Sequence, residues 1–381
     1  KGTAAGGVLL CFYLLYQVHE FHVALSDPFT LAPHNNAQLS GFGIIPNRER
    51  VADDLETGSP PSSFHLTHKT ADNWKAGILR VFFDGTGGAT WTKKCVSGEQ
   101  GCWLSNSSYC EWLGVECAPN TTEVISLSLP GNHLYSPTGF GIPYQLANLT
   151  SLQTLNLANN NFDGCYLDVA FNSLKVLRLL DLSKTGLSIP NLSGLTNLRY
   201  LALSESDTGA SIDFLRNLTK LEIWIYLDIQ TNEQLIADPI GALHALRFLQ
   251  LAGNNIWNLT IFAGLTQLEF LDLSNLKIEG YGNWPGFEGT EALSHLTRLQ
   301  YLDLGLSTPL EGSNPQSNII SAILGLSQLR NLRLARINLT CSLPMAFFSS
   351  LPNLTNLDLR VPMVHFQFIV LSRYISKKKT L

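Results

Sequence analysis

Four cysteines lie close together in the first third of the chain and could hold either a metal ion or disulfide bonds. They are Cys95, Cys102, Cys110 and Cys117. No two of them form a Cys-x-x-Cys pair and no histidines cluster beside them, so their spacing disfavours a zinc site. The spacing favours two local disulfides, Cys95–Cys102 and Cys110–Cys117, although four cysteines allow three connectivities. Disulfides in turn indicate an oxidising compartment.

Catalytic chemistry has little support in the rest of the chain. The nine histidines are scattered, and none belongs to a recognisable motif with a nucleophile or a carboxylate. No phosphate-binding glycine loop and no zinc-binding helix motif occurs. The sequence therefore predicts a protein that is not an enzyme and that uses no cofactor or metal ion.

Sites for N-glycosylation agree with the oxidising compartment. Asn-x-Ser/Thr sequences, which accept N-linked glycans in secreted proteins, occur at eight positions. These are Asn106, Asn120, Asn148, Asn191, Asn217, Asn258, Asn338 and Asn353. Together with the cysteines they predict secretion or exposure at the cell surface.

The charge balance excludes one class of partner. The 381 residues carry a formal net charge of −5, and only 14% of them are charged. No basic cluster interleaved with aromatic residues appears in the repeated region described next. We therefore expect no binding to nucleic acid.

A short pattern repeated ten times must position any functional surface. Its clearest copy is Leu152-x-x-Leu155-x-Leu157-x-x-Asn160, and the spacing of copies runs from 21 residues (Leu180 to Leu201) to 31 (Leu271 to Leu302). The copies are marked by the pairs Leu127/Leu129, Leu155/Leu157, Leu180/Leu182, Leu201/Leu203, Leu227/Ile229, Leu249/Leu251, Leu271/Leu273, Leu302/Leu304, Leu332/Leu334 and Leu357/Leu359. This period predicts an α/β solenoid, a leucine-rich-repeat horseshoe of about ten repeats.

Two further features of the repeats can be checked. The position three residues after the second leucine should hold an asparagine whose amide satisfies the following turn, as at Asn132, Asn160, Asn232 and Asn254. Thr185 is a weaker substitute. Cys165 and Cys341 belong to different repeats, and we expect both to be small core residues.

The region before the repeats is predicted to form a terminal cap. Trp74, Ile78, Leu79, Phe82 and Phe83 share one helical face, with Thr70 or Asp72 placed to cap the helix. The cysteine-rich segment that follows brings Trp103 and Trp112, and we expect it to cover the apolar edge of the first repeat.

The chain divides into five parts. Residues 1–18 are uncharged after Lys1 and predict a signal peptide or a signal-anchor helix that contacts the membrane. Proline-rich residues 19–70 predict a disordered linker or stalk. The cap spans residues 71–123, the repeats span 124–365, and 366–381 form an irregular basic tail.

The cap and one repeat resemble a known family. Cys110-x-Trp-x-Gly-Val-x-Cys117, followed by Val124-Ile-Ser-Leu-Ser-Leu, resembles the N-terminal cap of plant-type leucine-rich-repeat receptor-like proteins, and residues 141–164 resemble their full repeat. Residues 78–91 are similar to the cap helix of algal and protist relatives. The resemblance covers roughly residues 70–365. It implies receptor-like proteins, receptor kinase ectodomains or secreted inhibitors of cell-wall enzymes.

Candidate ligand-binding residues lie on the strands and in two insertions. On the strands, which we expect to line the concave face, an aromatic series comprises Tyr200, Tyr226, Phe248, Phe270 and Tyr301. An acidic series comprises Asp181, Asp228, Asp272, Asp303 and Asp358. Together they could stack sugar rings or hold a basic peptide, although such sequences are common in this family whatever its members bind. Insertions at 279–288 and 305–317 lengthen two repeats, and the first contains Trp284 and Phe287, which we expect to be exposed anchors. The alternative is that Trp284 folds back on the solenoid.

These features predict an extracellular recognition domain of a receptor-like membrane protein. Its ligand would be a peptide, a protein or a cell-wall glycan, with a co-receptor as a second partner. The alternatives are a soluble secreted binder or inhibitor of cell-wall enzymes, and a structural or adhesion protein. The expected location is the cell membrane with the repeats outside, or the extracellular medium.

Overall fold

The computed structural model describes residues 73–95, 101–189, 191–205, 212–227, 237–256, 258–276, 287–305, 317–335 and 347–359. All of these residues lie in the part of the chain from His65 to Leu381. The predicted signal or anchor segment, linker and basic tail lie outside the described residues.

One sheet runs through the described repeats. Its eleven strands follow one another in chain order, with β1 antiparallel to β2 and every later pair parallel. The strands are β1 (Val115–Cys117), β2 (Val124–Ser128), β3 (Thr154–Asn156), β4 (Leu179–Asp181), β5 (Tyr200–Ala202), β6 (Ile223–Ile225), β7 (Phe248–Gln250), β8 (Phe270–Asp272), β9 (Tyr301–Asp303), β10 (Asn331–Arg333) and β11 (Asn356–Asp358). Strands β2 to β11 are the ten predicted repeats, stacked as a solenoid.

Short helices lie between most successive strands from β2 to β11, and the helices before β1 belong to the cap. The α-helices are α1 (Asn73–Gly85), α2 (Ala237–Gly241), α3 (Ser317–Ile323) and α4 (Phe347–Ser350). The 3-10 helices are Gly88–Thr90, Tyr109–Glu111, Tyr144–Asn148, Val169–Ser173, Asp213–Asn217, Leu259–Phe262 and Thr290–His295. Strand and helix layers enclose the leucines between them, as expected when each repeat can bury its apolar face only against its neighbours.

The core is a ladder of side chains in strict register. The middle residue of each strand pairs with the middle residue of the next, as Leu155 does with Leu180 and Leu180 with Leu201. These three leucines are almost completely buried. Because burying one such side chain contributes about 1.5–3 kcal/mol, the repeated layers supply the main stabilising free energy of the fold.

The fifth copy of the repeat was predicted in the wrong register. The strand contains Trp224, which aligns with Leu201 on one side and Leu249 on the other. The inward pair is therefore Trp224 and Tyr226, both buried, rather than Leu227/Ile229. Two aromatic side chains occupy the core positions that leucines hold elsewhere, so a search for leucine pairs places this repeat three residues too late.

Side-chain amides hold the turns after the strands as predicted. Asn160 Nδ2 donates to the carbonyl oxygens of Leu129 (2.9 Å) and Leu157 (2.8 Å), and its Oδ1 accepts from the Asn132 N–H (3.0 Å). Asn254 Nδ2 likewise donates to Tyr226 O at 2.6 Å, in agreement with the corrected register.

The remaining turn and core predictions have mixed outcomes. Thr185 Oγ1 donates to Leu182 O at 2.6 Å, which makes it the substitute expected. Cys165 is buried and forms no disulfide, in agreement with its predicted role as a small core residue. Asn232 and Cys341 lie outside the described residues.

The cap helix buries most of its predicted face. Ile78, Leu79 and Phe82 are buried in α1, but Trp74 is 49% exposed and the prediction was wrong there. Lys75 is buried instead, because its Nζ lies 2.5 Å from Glu123 Oε1 just before β2. This ion pair joins the cap helix to the first repeat. Thr70 and Asp72, the expected capping residues, lie outside the described residues.

Aromatic rings and disulfides complete the cap. Trp103 packs against Trp91 (ring centroids 4.9 Å apart) and Trp112 (5.2 Å), so the predicted cap tryptophans lie in one cluster. The structure forms the disulfides Cys95–Cys102 and Cys110–Cys117.

A glycine lets the cap approach the first repeat closely. Gly114 has φ +75°, and a Cβ atom there would lie 2.2 Å from Ser128 O. Because an L side chain at this position would be both strained and in collision with the backbone, the Gly in the Cys-x-Trp-x-Gly-Val-x-Cys motif is required by the contact with β2.

Candidate ligand-binding face

The sheet has a face that points away from the leucine core, which we call the open face. Since side chains alternate along a strand, the first and third residues of each strand lie on it when the middle residue is buried. For β2 only the three residues paired with β3 are counted, Ser126–Ser128. In register, the first of the three positions from β2 to β11 holds Ser126, Thr154, Leu179, Tyr200, Ile223, Phe248, Phe270, Tyr301, Asn331 and Asn356. The third residues are Ser128, Asn156, Asp181, Ala202, Ile225, Gln250, Asp272, Asp303, Arg333 and Asp358.

Three of the five predicted aromatic residues form a stack on this face. The rings of Phe248 and Phe270 are 4.1 Å apart with planes at 10°, and those of Phe270 and Tyr301 are 4.2 Å apart at 8°. Both faces of the Phe270 ring are thus covered by protein, so that ring cannot stack on a sugar. Ile223 separates Tyr200 from the stack.

Tyr226 is a correction to the predicted aromatic series. It is 1% exposed and packs against Trp224 with ring centroids 5.3 Å apart. It occupies a core position because the strand begins three residues earlier than the leucine pattern suggests. Ile223 takes the place on the open face that was assigned to Tyr226.

The aspartates of the acidic series stabilise the strand ends. Asp181 Oδ1 accepts from the Ser183 N–H at 3.0 Å, Asp272 Oδ1 from Ser274 at 2.9 Å, and Asp303 Oδ1 from Gly305 at 2.8 Å. Asp and Asn commonly make this bond to the backbone two residues on. It explains why an acid recurs at this position, and it leaves the second oxygen of each carboxylate for other partners.

The second oxygens of Asp272 and Asp303 belong to a polar row across the five strands β7 to β11, which we call the charged row. Gln250 Nε2 donates to Asp272 Oδ2 at 3.1 Å. Arg333 lies between two carboxylates, with Nη1 3.1 Å from Asp303 Oδ2 and Nε 3.7 Å from Asp358 Oδ2. The row therefore contains three carboxylates and one guanidinium.

Burial changes the acidity of the groups in this row. It raises the pKa of the Asp303 carboxyl to about 6, and the nearby negative charge of Asp272 acts in the same direction. Burial and the charge of Asp303 also raise the pKa of the Tyr301 hydroxyl. Tyr301 therefore stays protonated and can donate to Asp303 Oδ2, which lies 3.3 Å from its hydroxyl oxygen.

Arg333 was missed by reasoning from the sequence. Arg333 lies between Leu332 and Leu334, the repeat position that holds the aspartates in other repeats. The prediction considered only acidic residues at that position. A check of every residue type at this position would have found it. Among the twenty open-face positions given above, it is the one cation.

The structure describes only one of the two candidate residues in the first insertion. Phe287 is 8% exposed and packs in the core, so the prediction that it is an exposed anchor was wrong. Its neighbour in sequence, Glu288, forms a strand bridge with Asn258, which holds this segment against the preceding repeat. Asp228 and Trp284 lie outside the described residues.

Most of the sequons lie on the surface. Six are exposed at the asparagine: Asn106, Asn120, Asn148, Asn191, Asn217 and Asn353. Asn258 is partly buried, and its Oδ1 accepts from the Thr260 N–H at 3.0 Å. Asn338 lies outside the described residues.

Two features are absent from the described residues, a metal-binding cluster and a membrane-spanning helix. Within the ranges that the structure covers, no three His, Cys, Asp or Glu side chains are grouped so as to hold a metal ion. No helix in those ranges is long and apolar enough to span a bilayer.

The stacked strands, the leucine ladder and the disulfide-bonded cap define the class: the chain is a leucine-rich-repeat protein. Within that class its sequence resembles plant receptor-like proteins. Receptor-like protein 41 of Arabidopsis thaliana is 31% identical over 209 residues, 51% of this chain and 22% of that protein. Receptor-like protein 9DC1 of Solanum pimpinellifolium is 30% identical over 184 residues, 45% of this chain and 20% of that protein. The matched region thus spans about a fifth of these curated relatives, and no family model matches the chain.

Solved structures agree on the fold. The ectodomain of the Arabidopsis receptor kinase HAESA, in a complex with the peptide hormone IDA and the co-receptor SERK1, matches 76% of this chain with a TM-score of 0.57 and 23% identity. The PEPR1–AtPEP1 structure also matches 76%, with a TM-score of 0.51 and 20% identity. At this identity the likeness shows a shared leucine-rich-repeat architecture.

Proposed function

We propose that the chain is an extracellular recognition module of a receptor-like protein and that its charged row binds a peptide or a protein segment with a basic group. The observation that carries this proposal is the in-register row Gln250–Asp272–Asp303–Arg333–Asp358 on the open face. Three carboxylates against one guanidinium leave an excess of negative charge, which favours a cationic ligand.

The stack argues for a peptide rather than a glycan on this face. A sugar ring would need a free aromatic face, whereas both faces of Phe270 are covered by Phe248 and Tyr301. The stacked rings instead hold β7, β8 and β9 together beside the charged row. Binding sites on rigid strands position their polar groups better than sites on loops.

An extracellular location is supported by three observations of different kinds. Two disulfides stiffen the cap, and six sequon asparagines are exposed. The sequence relatives are named receptor-like proteins, and the HAESA complex contains a peptide hormone and a co-receptor. A peptide ligand and a co-receptor are therefore part of the proposal for this chain.

The test is a selection of random peptides that are displayed on phage. The 381-residue chain serves as the immobilised target, and unbound phage are washed away at near-neutral pH. We expect enrichment of peptides containing Lys or Arg, with affinity reduced at least tenfold by Asp272→Asn. The matched control is Asp213→Asn, because Asp213 lies in a return helix with its side chain 66% exposed. Selection of peptides without basic residues, or equal loss in both variants, would contradict the proposal.

The alternative is a soluble secreted binder or enzyme inhibitor with the same binding face. The two differ in whether the mature protein stays with the membrane. Alkaline extraction of native membranes separates them: we expect the chain in the pellet, and recovery in the supernatant would favour the soluble alternative.

A further inference from the structure

Exposed apolar side chains are concentrated at one end of the described solenoid. Nine large hydrophobic residues are substantially exposed, and all lie between positions 74 and 176: Trp74, Val81, Leu104, Tyr135, Phe140, Tyr144, Tyr166, Val169 and Val176. The described parts of residues 177–359 contribute none. Because exposed apolar patches on soluble proteins often mark interaction sites, this asymmetry indicates a second surface, separate from the charged row.

The most exposed rings belong to two neighbouring repeats. Phe140 is 72% exposed, Tyr144 57% and Tyr166 51%. We call these three side chains the aromatic patch. None of them is needed to fill the core, since Ile142 and Leu167, beside them in sequence, are each 2% exposed and anchor the two segments.

A glycine brings the two segments together. Gly141 has φ +84°, and a Cβ atom there would lie 2.7 Å from Tyr166 O and 3.2 Å from Cys165 Cβ. Only glycine allows the backbone after Phe140 to approach the backbone of Tyr166 so closely. The Tyr144–Asn148 helix then begins one turn beyond, against the Val169–Ser173 helix of the next repeat.

The chain segment that carries two of these rings contains no Asp, Glu, Lys or Arg. It comprises the 39 residues from Val124 to Phe162, including Phe140 and Tyr144, in a chain where 14% of residues are charged. Apart from the His133 imidazole, the polar side chains of this segment are hydroxyls and amides. Ser136 Oγ, for example, accepts from the Gly141 N–H at 3.0 Å and lies 3.4 Å from Thr138 Oγ1.

We infer that the aromatic patch binds an uncharged polysaccharide chain. A sugar ring presents apolar C–H faces that pack on exposed aromatic rings, and a rim of hydroxyls that bonds to neutral hydroxyl and amide groups. A typical protein partner carries charges on about a quarter of its residues. Within this segment those charges would meet no counter-charge, so its composition favours the neutral glycan.

The test is isothermal titration of the full 381-residue chain with neutral oligosaccharides, namely cellohexaose, laminarihexaose and mannohexaose. We expect at least one to bind, and the double variant Tyr144→Ala, Tyr166→Ala to weaken that binding at least tenfold. Tyr144→Phe with Tyr166→Phe keeps both rings and should retain most of the affinity. Val176→Ala is the matched control, because it removes exposed apolar area (Val176 is 43% exposed) without removing a ring.

Three outcomes would overturn the inference. One is that none of the three oligosaccharides binds, and another is that the tyrosine-to-alanine variant binds as tightly as the wild type. The third is that hexagalacturonate, an anionic oligosaccharide, binds equally well with the same dependence on the two tyrosines. Unchanged thermal unfolding of the variant would show that the fold is intact. Because the charged row lies on another surface, failure here leaves the peptide proposal unaffected.

Discussion

Arg333 and Asp303 form an ion pair across β9 and β10, with Nη1 3.1 Å from Oδ2 and the Asp303 side chain only 5% exposed. Replacing Arg333 with Gln would leave this carboxylate without its counter-charge. Because a hydrogen bond to a buried charged group is worth about 1.5–3 kcal/mol, we expect the free energy of unfolding to fall by about 2 kcal/mol. Urea denaturation at pH 7.5 measures it.

The control for this prediction is Arg199→Gln. Arg199 pairs with Glu222 at 3.4 Å, but its side chain is 49% exposed. Exposed pairs contribute roughly 0–1 kcal/mol, so this change should be nearly neutral. Equal losses in the two variants would mean that burial of the Asp303 pair has no special effect.

The raised pKa of Asp303 predicts a pH dependence of stability. With a pKa of about 6 in the folded chain and an ordinary value of 3.8, the folded state holds the proton over a range where the unfolded state has lost it. Stability from this group therefore decreases as pH rises from about 4 to about 6 and is constant above that range. We expect the difference in unfolding free energy between the wild type and Asp303→Asn to show this decrease.

The comparison with the variant cancels other titrating groups. Glu123, for example, has a lowered pKa because Lys75 and Ser151 donate hydrogen bonds to it, so its contribution has the opposite sign. Denaturation curves at half-unit pH intervals between 4 and 7 provide the test. A difference that does not vary with pH would show that Asp303 titrates normally.

The corrected fifth repeat can be tested at Trp224. The Trp224 side chain is completely buried, and its indole N–H has no hydrogen-bond partner among the described residues. Trp224→Ala should lower the free energy of unfolding by about 3–5 kcal/mol because it leaves a large cavity. Trp224→Leu should cost less, because it restores the residue found at Leu201 and Leu249 and removes a buried unpaired donor.

Trp74→Ala serves as the matched control for Trp224. Trp74 is 49% exposed on α1, so its loss should change stability by no more than about 0.5 kcal/mol. Thermal unfolding followed by circular dichroism compares the three variants. If Trp224→Ala were as stable as Trp74→Ala, the register with Trp224 in the core would be wrong.

The second cap disulfide should contribute measurable stability. Cys110 and Cys117 are seven residues apart, and closing so short a loop is expected to be worth about 2.5 kcal/mol. We expect the double change of both cysteines to serine to lower the unfolding free energy by about that amount. Peptide mapping under non-reducing conditions checks the pairing, and a free thiol at Cys110 would contradict it.

Reasoning from the sequence predicts the fold well because the leucine ladder is both repeated and locally encoded. Nine of the ten leucine pairs mark the strands that the structure contains. The remaining pair, that of the fifth repeat, is wrong because Trp224 and Tyr226 fill the core there. Core positions select for burial and volume rather than for leucine itself. A pattern based on residue identity cannot detect such a replacement, whereas one based on hydrophobicity and spacing could.

The binding face was less predictable because it depends on contacts between strands that are far apart in sequence. Asp303 and Arg333 are 30 residues apart, and only the register of β9 with β10 shows that they form a pair. Likewise, Lys75 pairs with Glu123, 48 residues further on, and helical periodicity in α1 does not reveal this contact.

The stacked rings leave no space between them for a ligand. Adjacent strands in a sheet are about 4.8 Å apart at the backbone, and the centroids of Phe248, Phe270 and Tyr301 are only 4.1 and 4.2 Å apart. A ligand that inserted between two of these rings would therefore have to break the stack that links β7, β8 and β9.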